Sequence, residues 1–260
     1  MELELPEVRA KAHSLNPSKL FLFSPPKTGK TELLASLPNN LLIDLEGGSN
    51  YVANAAIFNV KEIARKEDIS VLSVLKGIAD KIKLENAKAG DYIYDYITLD
   101  TVTELEEVAW DLATNMYKNT PMGKTFKEAT VRNLPNGAGY GYLREAFKII
   151  YQEFNGLSRK CLLLAGHVKD KSITKEGKSL TARDIDLTGK LRNIVAADVD
   201  AIGFIYRIKD KPINMISFKT SEELVCGARP PHLSNKEFVI SEKLETGELI
   251  TYWEEIFKPE

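Results

Sequence analysis

Cysteine and histidine are scarce in this chain, with two of the first and three of the second in 260 residues. Cys161 and Cys226 lie far apart and form no C-x-x-C pair, so no disulfide framework is expected. Cys161 sits in the apolar run Cys161-Leu162-Leu163-Leu164-Ala165-Gly166, where a thiol serves as a small hydrophobe. His13, His167 and His232 follow no metal-ligand spacing. Long apolar runs are missing too. No stretch approaches the roughly 18 residues of a membrane span, and the acidic opening MELELPEVRA lacks the apolar segment of a signal peptide. These absences lead to the expectation of a reducing, cytoplasmic setting without a membrane partner. Strong charge is absent as well: the formal net charge is -2 and the pI about 6.1. Any polyanion must therefore meet a local basic patch. No repeat, linker or low-complexity stretch divides the chain, so residues 1–260 are expected to form a single domain.

What is present is the composition of an ordinary globular protein, 43% hydrophobic and 28% charged. Strand-like runs alternate with helix-like segments. Leu20–Ser24 reads as a strand, Gly29–Leu37 as a short helix stopped by Pro38, and Leu41–Glu46 as a second strand. Residues 53–60 form a further candidate strand, and Ile69 to about Lys88 has helical spacing. Tyr92–Asp100 is rich in β-branched and aromatic residues, and Thr101–Tyr117 is helical with a threonine cap. Lys118–Gly139 reads as irregular, Tyr140–Phe154 as helix and Cys161–Gly166 as strand. Lys169–Leu187 reads as a polar loop, Leu191–Asp198 as helix and Val199–Arg207 as strand. Short strands follow at 213–219, 224–226, 238–241 and 249–253. Repeated strand–helix–strand order predicts an α/β fold with a mainly parallel sheet, which the tail extends with antiparallel strands.

The most specific stretch is Phe21-Leu22-Phe23-Ser24-Pro25-Pro26-Lys27-Thr28-Gly29-Lys30-Thr31. It carries the end of the phosphate-binding pattern G-x-x-x-x-G-K-[ST], with Ser24 where the first glycine belongs. Pro25 and Pro26 remove two backbone donors, while the donors from Lys27 onward remain. Strand, tight loop and helix give the context in which such a loop cradles a triphosphate. Lys27, Thr28, Gly29, Lys30 and Thr31 are expected to bind ATP. Lys30 would reach the β- and γ-phosphates and Thr31 would ligate Mg²⁺. Asp100, closing the run Tyr96-Ile97-Thr98-Leu99-Asp100, is the expected second metal-holding group. Glu46, closing Leu41-Leu42-Ile43-Asp44-Leu45-Glu46 ahead of two glycines, is placed to polarise a water. His167 follows the apolar run Cys161–Gly166, at a strand end expected to point toward the γ-phosphate.

In its order of motifs the chain resembles the RecA-like core ATPases. The motifs are strand–GKT–helix, LLIDLEGG, YITLDT, LLLAGH and DLTGKLRNIVAADVDAIGFIYR. More narrowly it is similar to the phage RecA-like nucleotide-binding proteins of single-strand annealing recombination. The resemblance covers roughly residues 18 to 240. It implies a three-layer RecA-like P-loop NTPase core, ATP and Mg²⁺ as cofactors, and assembly into a ring or filament. It also implies cooperation with a single-strand-binding protein and, for a phage-encoded chain, residence in the host cytoplasm. By the same resemblance Glu46 is the catalytic glutamate, Asp100 the Walker B aspartate and His167 the switch residue. Lys219, in Asn214-Met215-Ile216-Ser217-Phe218-Lys219-Thr220, would be the lysine given to a neighbouring subunit's site.

RecA-like proteins hold single-stranded DNA with two loops, which the resemblance places at two irregular segments. Asn115–Asn133 carries Lys118, Lys124, Lys127 and Arg132 against Glu128, four basic residues against one acid. Lys169–Arg192 carries seven basic residues, among them Lys169, Lys171, Lys175, Lys178 and Arg183, against four acids. Each segment thus bears a local charge of +3, an electrostatic track for a phosphate backbone. Phe126, Tyr140 and Tyr142 would offer stacking surface. The chain lacks RecA's additional terminal domains, so annealing of complementary strands is expected rather than strand invasion. Three other activities fit the same motifs: a hexameric helicase or loader motor, a nucleotide-gated DNA-binding module with little turnover, and a small-molecule kinase.

Overall fold

The computed structural model describes residues 14–175 and 178–259; side chains at 173–181 are left aside. The first strand, β1 (Lys19–Ser24), runs into the loop that precedes helix α1 (Lys30–Ala35). There follow β2 (Asn40–Asp44), β3 (Ala56–Asn59), α2 (Val60–Glu67), α3 (Val71–Ala89), β4 (Tyr96–Asp100) and α4 (Val102–Lys118). After α5 (Gly139–Gln152) come β5 (Cys161–Lys175), β6 (Lys178–Ile185), α6 (Lys190–Asp198) and β7 (Ala201–Arg207). The chain closes with β8 (Ile213–Ser217), β9 (Gly227–Ala228), β10 (Glu237–Lys243) and β11 (Leu249–Thr251).

Among the described residues the main sheet runs β11-β10-β8-β7-β1-β5-β4-β2-β3, with β6 attached to β5 and β9 to β7. From β7 to β3 every pairing along that path is parallel. From β7 outward through β8, β10 and β11 the pairings are antiparallel. This is a three-layer α/β architecture, a mainly parallel sheet extended by antiparallel C-terminal strands. β1, β2 and β4 read as continuous apolar runs because both faces are covered. Phe21 and Phe23 enter one core with Ile43, Leu99, Leu164 and the inner sides of α3 to α6. Leu20 and Leu22 enter the other with Leu33 and Leu34 of α1 and the C-terminal Trp253 and Ile256. Each fully buried leucine or phenylalanine contributes about 1.5–3 kcal/mol of transfer free energy, so β1 is fixed from both sides. Burial also pushes the thiol of Cys161 well up and that of Cys226 to about 12, which leaves both unreactive.

Several expectations change, among them the strand expected at 224–226, which forms instead at Gly227–Ala228. The helix expected from Ile69 begins at Val71, where Ser70 accepts the Ser73 amide at 3.1 Å. It is preceded by a separate helix, α2, capped by Asn59 and too short and charged to stand out in the sequence. The expected polar loop Lys169–Leu187 is instead a β-hairpin, in register from Val168 opposite Ile185 to Lys175 opposite Lys178. The register runs residue for residue along both strands without a shift. The alternating charges mask it, because neither face is uniformly apolar. The segment 118–139 is irregular as expected, made of one-turn 3-10 helices at Gly123–Thr125, Val131–Asn133 and Pro135–Gly137.

Candidate nucleotide-binding site

The sheet order decides what meets what. β5 lies between β1 and β4, and β2 lies beyond β4, so the C-terminal ends of four parallel strands line up. Ser24 pairs with His167, Ala165 with Asp100 and Asp100 with Asp44. The loop after β1 therefore faces the ends of β5, β4 and β2. Lys27 and Gly29 adopt left-handed backbone, at φ 64° and 90°. The Gly29 carbonyl accepts the Leu33 amide at 3.0 Å and starts α1. The Thr28 hydroxyl donates to the Pro25 carbonyl. The two prolines thus sit on the rising arm of the loop, and one supplies an acceptor that braces it.

Lys30 and Thr31 both reach Asp100. Lys30 Nζ lies 2.5 Å from Asp100 Oδ1, and the Thr31 hydroxyl donates to Oδ2 at 2.7 Å. Lys30 and Asp100 are almost wholly buried, at 7% and 1% exposure. The Lys30 ammonium thus rests on the Asp100 carboxylate, beside the loop. Glu46 projects from the other wall, its Oε2 3.1 Å from His167 Nε2. The second ring nitrogen of His167 is buried and has no partner among the described residues. The five candidates that the sequence spreads over 138 positions (Lys30, Thr31, Glu46, Asp100, His167) converge at the ends of four strands and the start of α1.

A cleft of about 420 Å³ lies over the loop, lined by Ser24 to Glu32 and by Glu46, Gly48, Tyr51, Val52, His167 and Lys243. Gly48 passes beside Thr31: a Cβ built there would stand 3.8 Å from its hydroxyl. Tyr51 is fully exposed at the mouth, and Lys243 pairs with Glu32 across it at 3.1 Å. Sequence reading passes over these residues. Tyr51 follows Glu46 closely, and an aromatic after Gly47-Gly48 is the one available signal. Lys243 arrives from the antiparallel edge and leaves none. The Arg207 guanidinium, at the end of β7, donates to the Thr28 carbonyl at 3.4 Å from behind the loop. Lys219 does not line this cleft; it pairs with Glu237 at 2.8 Å. β8 passes the loop at Asn214, opposite Arg207, and runs away from it through Ser217.

The basic candidates fall into two groups. Lys118, Lys124 and Lys127 are exposed and make no ion pair among the described residues. Arg132 pairs with Glu107 and lies over the Trp110 ring at 4.9 Å. On the hairpin Lys171 is exposed, Lys169 pairs with Asp186 at 3.2 Å, and Arg183 lies 5.4 Å over the Phe204 ring. The side chains of Lys175 and Lys178 lie outside the described residues. Phe126 and Tyr142 pack edge-on against Tyr117, at 5.1 and 5.4 Å, and are half-buried. Tyr140 meets Trp110 edge-on at 5.4 Å and keeps an exposed face. No helix of the described residues is long and apolar enough to cross a membrane.

No curated protein matches the sequence. Among solved structures the RadB recombinase is similar at 12% identity and a TM-score of 0.40, with 90% of each chain covered. The model of the AAA domain matches residues 16–230, most of the chain and every motif of the cleft. A match over that much of the chain shows that it belongs to the AAA domain family.

Proposed function

We propose that this protein binds and hydrolyses ATP and uses it to control a grip on single-stranded DNA during strand annealing. The observation that carries the first half is the joint engagement of Asp100 by Lys30 and Thr31, facing Glu46 across the cleft. The donor set fits ATP·Mg²⁺. A hydroxyl and a carboxylate are hard oxygen ligands, and Lys30 is a cation already held at the loop. Mg²⁺, when bound, supplies neutralisation of the β- and γ-phosphates. Lys30 would then leave Asp100 for the phosphates, Thr31 and Asp100 would hold the metal, and Glu46 would orient the attacking water as its general base. Lys27, Thr28 and Gly29 would line the phosphate path.

The second half rests on position. β5 is one strand from the sheet through His167 to the basic hairpin, so a ligand on Lys169, Lys171, Lys175, Lys178 or Arg183 would act on the strand that carries the Glu46 partner. Lys118, Lys124 and Lys127 would add a second track, with Arg132 held nearby. Assembly into a ring or filament, with Lys219 serving a neighbour's site, and recruitment by a single-strand-binding protein complete the proposal.

A second reading, nucleotide-gated DNA binding with little turnover, draws on the contact between Glu46 and His167, which occupies the carboxylate that hydrolysis requires. The test is steady-state ATP hydrolysis with and without a single-stranded oligonucleotide, repeated with His167→Ala. Turnover raised by the oligonucleotide in the parent, and unresponsive in the variant, supports the ATPase. ATP-dependent oligonucleotide binding without turnover supports the gated module.

A further inference from the structure

Two aspartates stand side by side at the ends of β2 and β4, Asp44 in register with Asp100. Only Asp100 faces the phosphate loop. Asp44 is fully buried, and its carboxylate is satisfied by the turn that follows it. Oδ1 accepts the amide of Glu46 at 3.0 Å and that of Gly47 at 2.7 Å. Oδ2 accepts the amide of Ser49 at 2.9 Å and also the Ser49 hydroxyl. The Leu45 amide, between them, donates to the Asp100 carbonyl at 2.7 Å. The turn is thus tied at one end to the strand that carries the metal-holding aspartate, and wrapped around Asp44 at the other.

The geometry points to Asp44 as the positioning residue for Glu46. Charge-assisted hydrogen bonds are about twice as strong as neutral ones, and here they fix the backbone of the glutamate itself and of the two positions that carry the chain past Thr31. A carboxylate accepts at both oxygens with no donor of its own. An asparagine in its place would turn an amide toward either the Glu46–Gly47 pair or the Ser49 pair, and half the turn would lose its anchor. Displacement of a reacting group by about 1 Å lowers the rate about 100-fold. The role is indirect, since Asp44 does not line the cleft. It rests on the hydrolytic reading above.

The experiment compares the parent, Asp44→Asn, Ser49→Ala, Glu46→Gln and Asp44→Asn/Glu46→Gln. ATP affinity is measured at equilibrium with a fluorescent ATP analogue, and hydrolysis in single turnover. Asp44→Asn is expected to bind the analogue within about threefold of the parent and to hydrolyse at least about tenfold more slowly, the signature of a misplaced base. The double variant is expected to be no slower than Glu46→Gln, because Asp44 acts through that residue. If Asp44→Asn does not fold, Ser49→Ala, which removes one hydroxyl donor only, is expected to show the same split in smaller measure. Unchanged hydrolysis in a folded Asp44→Asn, or in Ser49→Ala where that variant stands in, overturns the proposal alone. So does a loss of affinity equal to the loss of rate, or a double variant slower than Glu46→Gln. A parent with no turnover would bring down the hydrolytic reading and this proposal with it.

Discussion

The ammonium of Lys30 and the carboxylate of Asp100 form a buried ion pair at 2.5 Å, beside the cleft and nearly shielded from water. Removing one partner of such a pair leaves an uncompensated buried charge, at a penalty of about 3–5 kcal/mol. Lys30→Ala is therefore expected to abolish nucleotide binding and also to lower the urea midpoint of the nucleotide-free protein. The double variant Lys30→Met/Asp100→Asn is expected to regain most of the stability and none of the binding. Equal midpoints for parent and Lys30→Ala would contradict the pair's role.

The acid limb of stability has a different source. Burial raises the Asp198 carboxyl, but hydrogen bonds from Lys19 and Tyr151 outweigh it and leave the group below its ordinary range. Asp200 is likewise raised by burial and lowered further by Ser18, Arg229 and the Lys19 amide, with a net depression. A depressed carboxyl stabilises the fold above its unfolded pKa, about 3.9, and loses that contribution as pH falls through the folded value. Melting temperatures are expected to hold near neutrality and drop below about pH 4. Asp198→Asn and Asp200→Asn are expected to melt lower at neutrality and to show a flatter acid limb.

Gly139 is the residue that lets α5 start against the preceding segment. A Cβ there would lie 1.9 Å from the Val131 carbonyl oxygen. Gly139→Ala is expected to destabilise by about 2 kcal/mol, within the range for overpacking, and to loosen Val131–Asn133. Denaturant unfolding checks the first effect, and amide exchange of that segment the second.

Much of the site was legible because its chemistry is local. Gly29-Lys30-Thr31 after an apolar strand, an aspartate closing Tyr96–Asp100, and Glu46 before two glycines each carry their own signal. The structure adds their convergence, which depends on β5 lying between β1 and β4. Asp44 was hidden by Glu46, which carries the signal of that run: nothing local shows that the earlier acid is spent on the backbone of the turn that follows. The hairpin was hidden by its charges, since its ladder is set by pairing and not by an apolar face. Lys243 and Arg207 were out of reach because strands far along the chain bring them to the loop, Lys243 on the antiparallel β10 and Arg207 on β7, which runs parallel to β1.

Lys118, Lys124 and Lys127 are exposed and unpaired among the described residues, whereas Arg132 is held by Glu107 and Trp110. If the three lysines contact phosphates of a single strand, replacing all of them by alanine lowers the slope of log affinity against log salt by about 2. Arg132→Ala is expected to change stability more than slope. A triple variant with the parent's salt dependence would remove this segment from the DNA track.

The central claim is that this cleft hydrolyses ATP with Glu46 as the base. Its most direct measurement is single-turnover hydrolysis by Glu46→Gln beside the parent, with ATP affinity determined on the same samples. The account predicts affinity within about twofold of the parent and hydrolysis slower by about 100-fold or more, as expected when a general base is lost. Equal hydrolysis by the two proteins would contradict it.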